Sequence, residues 1–281
     1  MLLATLTALA LAGAQGADTT IAVQRGDRLE VDAHRGAITV RAWNRNSVQV
    51  RGTGGRFTVD RAGGRVEVET DWEHGEPGNI RFEISAPAWM VLELSGVNTD
   101  ITVVGADAAI NAETVSGNIS VEGGNGIIEL ETVEGRVTVS DVRGQIYATS
   151  VNEAVIVRNA GGPVHAETVN GPITLTGIES SDVDAETVNG AITYAGPIRD
   201  GGRYRFATHN GGVTVTVQDG ANVAVSVSTF QGEFGADFPI SFRGSREGDF
   251  SFSIGSGSAR LDIESFQGPI RLVRPGAVRS R

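Results

Sequence analysis

Ala166-Glu167-Thr168-Val169-Asn170-Gly171-Pro172-Ile173-Thr174-Leu175 returns as Ala185-Glu186-Thr187-Val188-Asn189-Gly190-Ala191-Ile192-Thr193-Tyr194. It returns again as Ala112-Glu113-Thr114-Val115-Ser116-Gly117-Asn118-Ile119-Ser120-Val121. Recurrence within one chain decides the architecture before any other feature is read. With the glycine as register mark, the repeats fall at Gly117, Gly135, Glu153, Gly171, Gly190, Gly211, Gly232 and Gly268, and Thr99 fits one step earlier. From Gly117 backwards and forwards the steps are 18, 18, 18, 18, 19, 21 and 21 residues, and the last is 36, or two periods.

Working outward from the mark, apolar side chains stand two and four residues after it, as in Ile119 and Val121 or Ile173 and Leu175. Others stand seven and five before it, as in Ile110 and Ala112 or Tyr204 and Phe206. A spacing of two is the strand period. Each repeat therefore reads as strand, corner, strand. One such unit cannot bury its own apolar face, and stacking on its neighbours does so. The expected fold is all-β: a single-chain parallel β-solenoid with coils of 18–21 residues, about 4.8 Å apart. Glycine at the corners Gly117, Gly135, Gly171, Gly190, Gly211, Gly232 and Gly268 is expected to supply a positive φ. Antiparallel hairpins with Asn-Gly turns are the rival, but columns held in step over eight marks favour coils.

The rest of the chain is arranged around that array. Residues 1–17 are an apolar run ending in small residues, Ala12-Gly13-Ala14, and read as a signal peptide. Residues 18–90 read as a looser N-terminal β cap, in which Val31, Ala33, Ile38 and Val40 around Gly36 match the repeat columns. Phe57, Val59, Val66 and Val68 around Gly64 match them in part. The regular solenoid is placed at 91–273 and a basic tail at 274–281. Beyond residue 200 aromatics accumulate, among them Tyr204, Phe206, Phe230, Phe234, Phe252 and Phe266. Many occupy inward columns, so they read as core rather than as an exposed groove.

Composition narrows the chemistry. The 281 residues carry a formal charge of −11, with no Cys, and every basic residue among the 23 Lys plus Arg is Arg. An acidic chain lacks the basic stripe that nucleic acid requires and is poorly suited to anionic lipid. Without Lys there is no Schiff base or Lys-Asn cross-link, and without Cys no disulfide or thiol nucleophile. No integral membrane segment is expected once the leader is removed.

Several residue sets could carry chemistry. Glu113, Glu131, Glu167 and Glu186 form a carboxylate column, but the Gly-Gly-x-Gly-x-Asp pattern of calcium β-rolls is absent, so a solvated face is expected rather than a metal. His34, His74, His165 and His209 lack zinc spacing. Glu179, Asp182 and Asp184 crowd one corner, without a second shell or cleft to make them an acid and base pair. Arg25-Gly26-Asp27 reads as a turn. Thr114, Thr132, Ser150, Thr168, Thr187, Thr208, Thr229 and Ser265 form a hydroxyl column suited to satisfying corner backbone groups. The sequence leaves open whether this column or the next one, Val115, Val133, Val151, Val169 and Val188, points inward.

The T-V-N-G-x-I-T repeats resemble a known family. So do Ile84-Ser85-Ala86-Pro87, Ser228-Thr229-Phe230-Gln231-Gly232 followed by Ala236-Asp237-Phe238-Pro239, and Glu264-Ser265-Phe266-Gln267-Gly268-Pro269-Ile270. The family is that of bacterial β-strand-repeat "putative adhesins", whose domain has no defined function. The resemblance covers nearly all of the chain after residue 17. It implies an exported β-solenoid and carries no catalytic set, no cofactor and no metal ligand. The expectation is an exported, non-enzymatic, adhesin-like binding or scaffold protein in the periplasm or on the cell surface, with a protein or glycan of the cell envelope as its partner. The alternatives are a carbohydrate-active enzyme on a β-helix and a periplasmic partner of an envelope-stress signalling system.

Overall fold

A computed structural model describes residues 18–71, 78–240, 244–246 and 249–276. The expected leader at 1–17, His74, Phe242 and the end of the basic tail lie outside these residues. In its described residues the chain is all-β, strands joined by turns and short loops. The strands at its start are β1 (Thr19–Ala22), β2 (Arg28–Trp43), β3 (Ser47–Thr53), β4 (Phe57–Ala62), β5 (Arg65–Thr70), β6 (Ile80–Pro87) and β7 (Val91–Ala106). Two-stranded coils follow: β8 (Ile110–Ser116) with β9 (Ile119–Gly123), β10 (Ile127–Glu134) with β11 (Val137–Ser140), and β12 (Gln145–Ser150) with β13 (Val155–Arg158). Next come β14 (Val164–Thr168) with β15 (Ile173–Thr176), β16 (Asp182–Thr187) with β17 (Ile192–Ala195), and β18 (Arg203–Asn210) with β19 (Val213–Thr216). The chain ends with β20 (Val223–Thr229), β21 (Phe234–Ala236), β22 (Gly244–Arg246), β23 (Asp249–Ile254), β24 (Ala259–Gln267) and β25 (Ile270–Val273).

The coils stack in parallel, so the fold is a parallel β-solenoid with a less regular N-terminal cap. The even-numbered strands β8 to β18 build one face, in a register that sets Ile110 beside Ile128, Ile146, Val164, Val183 and Tyr204. The odd-numbered strands β9 to β19 build the second face, with Ile119, Val137, Val155, Ile173, Ile192 and Val213 in line. These columns are buried and form one core. A third inward column closes the coil at the turn between faces: Val142, Ala160, Ile178 and Ile198, all buried.

At the C-terminal end the stack departs from chain order. The 36-residue interval from Gly232 to Gly268 is not two stacked periods. β24 pairs in parallel with β18 on one side and with β20 on the other, and β25 lies likewise between β19 and β21. The chain lays down β20 and β21 one coil too far out and turns back through the antiparallel β23, which β22 pairs in turn. It then inserts its last coil into the gap. The two inserted strands carry Leu261, Ile263, Ile270 and Leu272 on their inward faces, all buried, so the core is continuous only once they are seated.

The N-terminal end has the same construction. β2 pairs with β7 from Arg28↔Val91 to Arg41↔Val104, which makes residues 28–43 a full coil of the stack. β5 and β6 cover the outer edge of β2. β4 closes β5 as an antiparallel hairpin, so Phe57 to Val68 is not a coil. β3 and then β1 add antiparallel strands beside β6. Antiparallel strands cover β5 and β6 at one end and β20 at the other, edges that would otherwise template another chain, while among the described residues β21 pairs with β25 alone.

The wider coils after residue 190 hold the buried aromatics. Tyr194, Tyr204 and Phe206 are fully enclosed and pack at ring-centroid distances of 5.8 and 5.1 Å. A buried phenol needs a partner. Tyr204 donates to Ser180 O at 2.8 Å and accepts from Arg199 N at 2.8 Å, and Tyr194 donates to Pro197 O at 3.2 Å. Burial pushes both hydroxyls above the ordinary tyrosine range, so they stay neutral.

Candidate functional surface

The corner after the even-numbered strands organises the surface. Strand alternation carries through to the hydroxyl column, which points inward: Thr132, Ser150, Thr168 and Thr187 are all buried. From Thr132 to Thr208 each hydroxyl donates to the carbonyl at the mark of the preceding coil. Thr132 reaches Gly117 O at 3.1 Å, Ser150 reaches Gly135 O at 2.8 Å, Thr187 reaches Gly171 O at 3.1 Å and Thr208 reaches Gly190 O at 2.9 Å. Ser265 bonds Gly211 O at 2.9 Å, which again seats the last coil next to the Gly211 coil. The glycines at these marks are needed mainly for closeness. A Cβ on Gly135, Gly171, Gly190, Gly211, Gly232 or Gly268 would overlap the carbonyl of the coil beneath. Only Gly117 and Gly268 among the seven corners also have a positive φ.

With the hydroxyls inside, the next column turns to solvent. In stacking order it reads His34, Val97, Val115, Val133, Val151, Val169, Val188, His209, Phe266 and Phe230. Of the ten large apolar side chains exposed in the molecule's described part, seven stand on this ridge, with Val115 50% and Phe230 72% accessible. The ridge ends in a stack: His209 and Phe266 have centroids 4.6 Å apart and planes 5° apart, Phe266 and Phe230 4.9 Å and 9°. Phe230 and Phe266 therefore correct the reading of the late aromatics as core; Tyr204, Phe206 and Phe252 are buried as that reading expects.

The ridge has unlike flanks. On one side run the exposed carboxylates Glu113, Glu131, Glu167, Glu186 and Glu264. On the other runs an amide ladder: Asn170 donates to Asn152 at 2.9 Å, Asn189 to Asn170 at 2.9 Å, and Asn210 to Asn189 at 2.8 Å. Ala207 replaces a carboxylate between Glu186 and Glu264. This opens a groove of about 320 Å³ beside Phe266 and Phe230, with the Thr229 hydroxyl on its wall. That hydroxyl is buried and has no partner among the described residues.

Further from the corner, the outer face of β12 to β18 carries a line of mixed side chains, one per coil. The Tyr147 and His165 rings lie 6.0 Å apart. His165 sits 3.8 Å from both Glu167 and Asp184. Arg205 reaches Asp184 at 3.2 Å and Glu186 at 2.8 Å. The Glu186 hydrogen bond, with Asp184 behind it, holds the Arg205 guanidinium more firmly charged than usual. An open hollow of about 450 Å³ lies over this line. Of the three acidic residues read as crowding one corner, Glu179 pairs with Arg199 at 3.3 Å, Asp182 begins β16, and Asp184 belongs to the Arg205 line. They do not converge on one point.

The remaining candidates fall elsewhere. Asp27 is 3% exposed and accepts from Gln24 N at 3.0 Å and Arg61 at 2.8 Å, so Arg25-Gly26-Asp27 is a turn with its carboxylate turned inward. Among the described residues no group of three His, Asp or Glu is placed to hold a metal ion, and no helix is long and apolar enough to cross a membrane.

Fold and surface together define a repeat protein whose polar, aromatic and apolar side chains are set out in ladders along a stack. The chain belongs to the Toastrack DUF4097 family, a domain of unknown function, whose family model matches residues 26–272. This is the β-strand-repeat family that the T-V-N-G-x-I-T motifs resemble. Two solved structures are similar. One is a putative cell adhesion protein from Clostridium sporogenes, 9% identical, covering 92% of this chain and 100% of that one at a TM-score of 0.23. The other is a putative adhesin from Bacteroides fragilis, 12% identical, covering 91% of this chain and 96% of that one at a TM-score of 0.44. No curated protein matches.

Proposed function

We propose that this Toastrack protein is an exported, non-enzymatic, adhesin-like binding protein that holds a protein or glycan of the cell envelope against the outer face of β12 to β18. The observation that carries the reading is the line of Tyr147, His165, Asp184 and Arg205. It sets two rings, a carboxylate and a guanidinium in successive coils on an open strand face. Such a strip offers stacking and charge-assisted hydrogen bonds to a long ligand without enclosing it. Function in most folds sits on loops grafted to a scaffold; here the turns are short and the strand faces themselves are the available surface. The apolar run at residues 2–11, followed by small residues, supports export.

The test is binding of the purified protein to isolated envelope fractions and to arrayed envelope glycans. Binding that falls about tenfold in a Tyr147→Ala/Arg205→Ala double variant is expected. Absence of binding to every fraction, or binding indifferent to both substitutions, would contradict the proposal. The grouping of His165, Asp184 and Arg205 also suits a second reading, a carbohydrate-active enzyme on the same face. Turnover of an acidic polysaccharide, lost in Asp184→Ala, would establish that reading instead.

A further inference from the structure

We infer that the ridge is the contact by which two copies of this chain associate side by side, in parallel, about a two-fold axis running along the ridge. Scattered apolar residues on a surface need no explanation, but a contiguous exposed stripe does. The ridge spans ten stacked coils, from His34 to Phe230. At about 4.8 Å per coil it is roughly 45 Å long.

The occupant is indicated first by the repeat. An extended strand advances about 3.4 Å per residue and an α-helix about 5.4 Å per turn, so either drifts out of step with coils 4.8 Å apart. A second copy has the same repeat and stays in step along its whole length.

The flanks give the orientation. A two-fold axis along the ridge sets each copy's carboxylate column against the other's amide column. Glu167 then meets Asn170 of the second copy, Glu186 meets Asn189 and Glu264 meets Gln267. The amide ladder uses one N–H of each Asn side-chain NH₂ group, which leaves the other to donate across the contact. The antiparallel alternative sets carboxylates against carboxylates and is repelled. The carboxylate column stands about 6.8 Å from the ridge and the amide column about 3.4 Å, so a strip this long buries on the order of 900 Å² in total, below the standard range for specific interfaces and within that of weak, transient ones. The dimer is therefore reversible and depends on concentration. One position opposes it: Glu131 would face Glu134 of the second copy.

The test uses the purified chain in sedimentation equilibrium, with single cysteines introduced into a sequence that has none. A monomer–dimer equilibrium is expected at micromolar to about 100 µM protein. Val115→Lys/Val169→Lys, on solvent-facing positions, should shift it to monomer with an unchanged circular dichroism spectrum. Glu131→Gln should tighten it by about threefold, a gain that misfolding cannot mimic. Val115→Cys, Val169→Cys and Val188→Cys, each alone, should all oxidise to self-linked dimers, because an axis along the ridge brings every position to its own counterpart. A chain that stays monomeric throughout overturns the inference. So does cross-linking at only one of the three positions, which marks an antiparallel or oblique contact, or a dimer indifferent to the two lysines.

Discussion

Thr187 shows how one side chain ties two coils. Its hydroxyl is buried and donates to Gly171 O. Thr187→Val keeps the shape, removes the donor and leaves that carbonyl unmet, which should cost about 1–3 kcal/mol in urea denaturation. At the next mark, Gly190→Ala puts a methyl group into the carbonyl of Gly171. The coils must separate to admit it, and a loss of at least about 3 kcal/mol in the same assay is expected. Asp27 gives a pH signature. The Gln24 N–H, with Arg61 beside it, holds the Asp27 carboxylate below the usual aspartate range against the opposing effect of burial. A depressed carboxylate contributes stability that is full above its unfolded value, near 4, and is lost as pH falls through the folded value. The gap in melting temperature between the parent and Asp27→Asn should be widest above about pH 5 and close toward pH 2. The hydroxyl column itself was legible in the sequence, and its role too, because Thr or Ser recurred three residues before the mark at each corner from Thr114 to Ser265. Its direction was not legible. A bend ends strict alternation, and only the carbonyl of the coil beneath, a contact between distant residues, shows that Thr rather than Val turns inward.

At the scale of elements, the inserted coil matters most. β24 and β25 come last in the chain yet sit inside the stack, covering Tyr204, Phe206 and Val213 on one side and Val225 and Val227 on the other. Removing residues 258–281 therefore should do more than shorten the solenoid by one coil. Amide exchange protection is expected to disappear from β20, whose two neighbours are β24 and β23, and to fall in β18. A truncation that left β20 protected would contradict the insertion. The strand-corner-strand pattern and the core columns were legible because a period of two and a step near 18 are local properties. The order of the coils was not, since the register of Gly268 against Gly211 is compatible with any position in the stack. The hairpin of β4 and β5 likewise matched the repeat columns in part, because Val59 and Val66 alternate equally well in antiparallel strands.

For the whole molecule, stacking converts a short motif into ladders, and each column of the motif becomes a stripe with its own chemistry. Carboxylates, valines and amides run side by side because Glu, Val and Asn are the outward residues of A-E-T-V-N-G, whose Thr turns inward. The apolar stripe and its aromatic end could not be singled out in the sequence, since the same Val residues would serve as core if the corner turned the other way. The family and fold were legible from the repeats, whereas the ligand was not, because a strand face has no motif to announce it. The account depends on parallel coils with the last one inserted, and spin-label distances along the ridge test it most directly. With one label at Val115 and the second at Val151, Val188, Phe266 or Phe230 in turn, diluted with unlabelled protein, backbone separations near 10, 19, 29 and 34 Å are expected from about 4.8 Å per coil. Position 266 should lie closer to 115 than position 230 does. Distances that fail to lengthen with coil number, or that place 230 nearer than 266, would contradict the structure described.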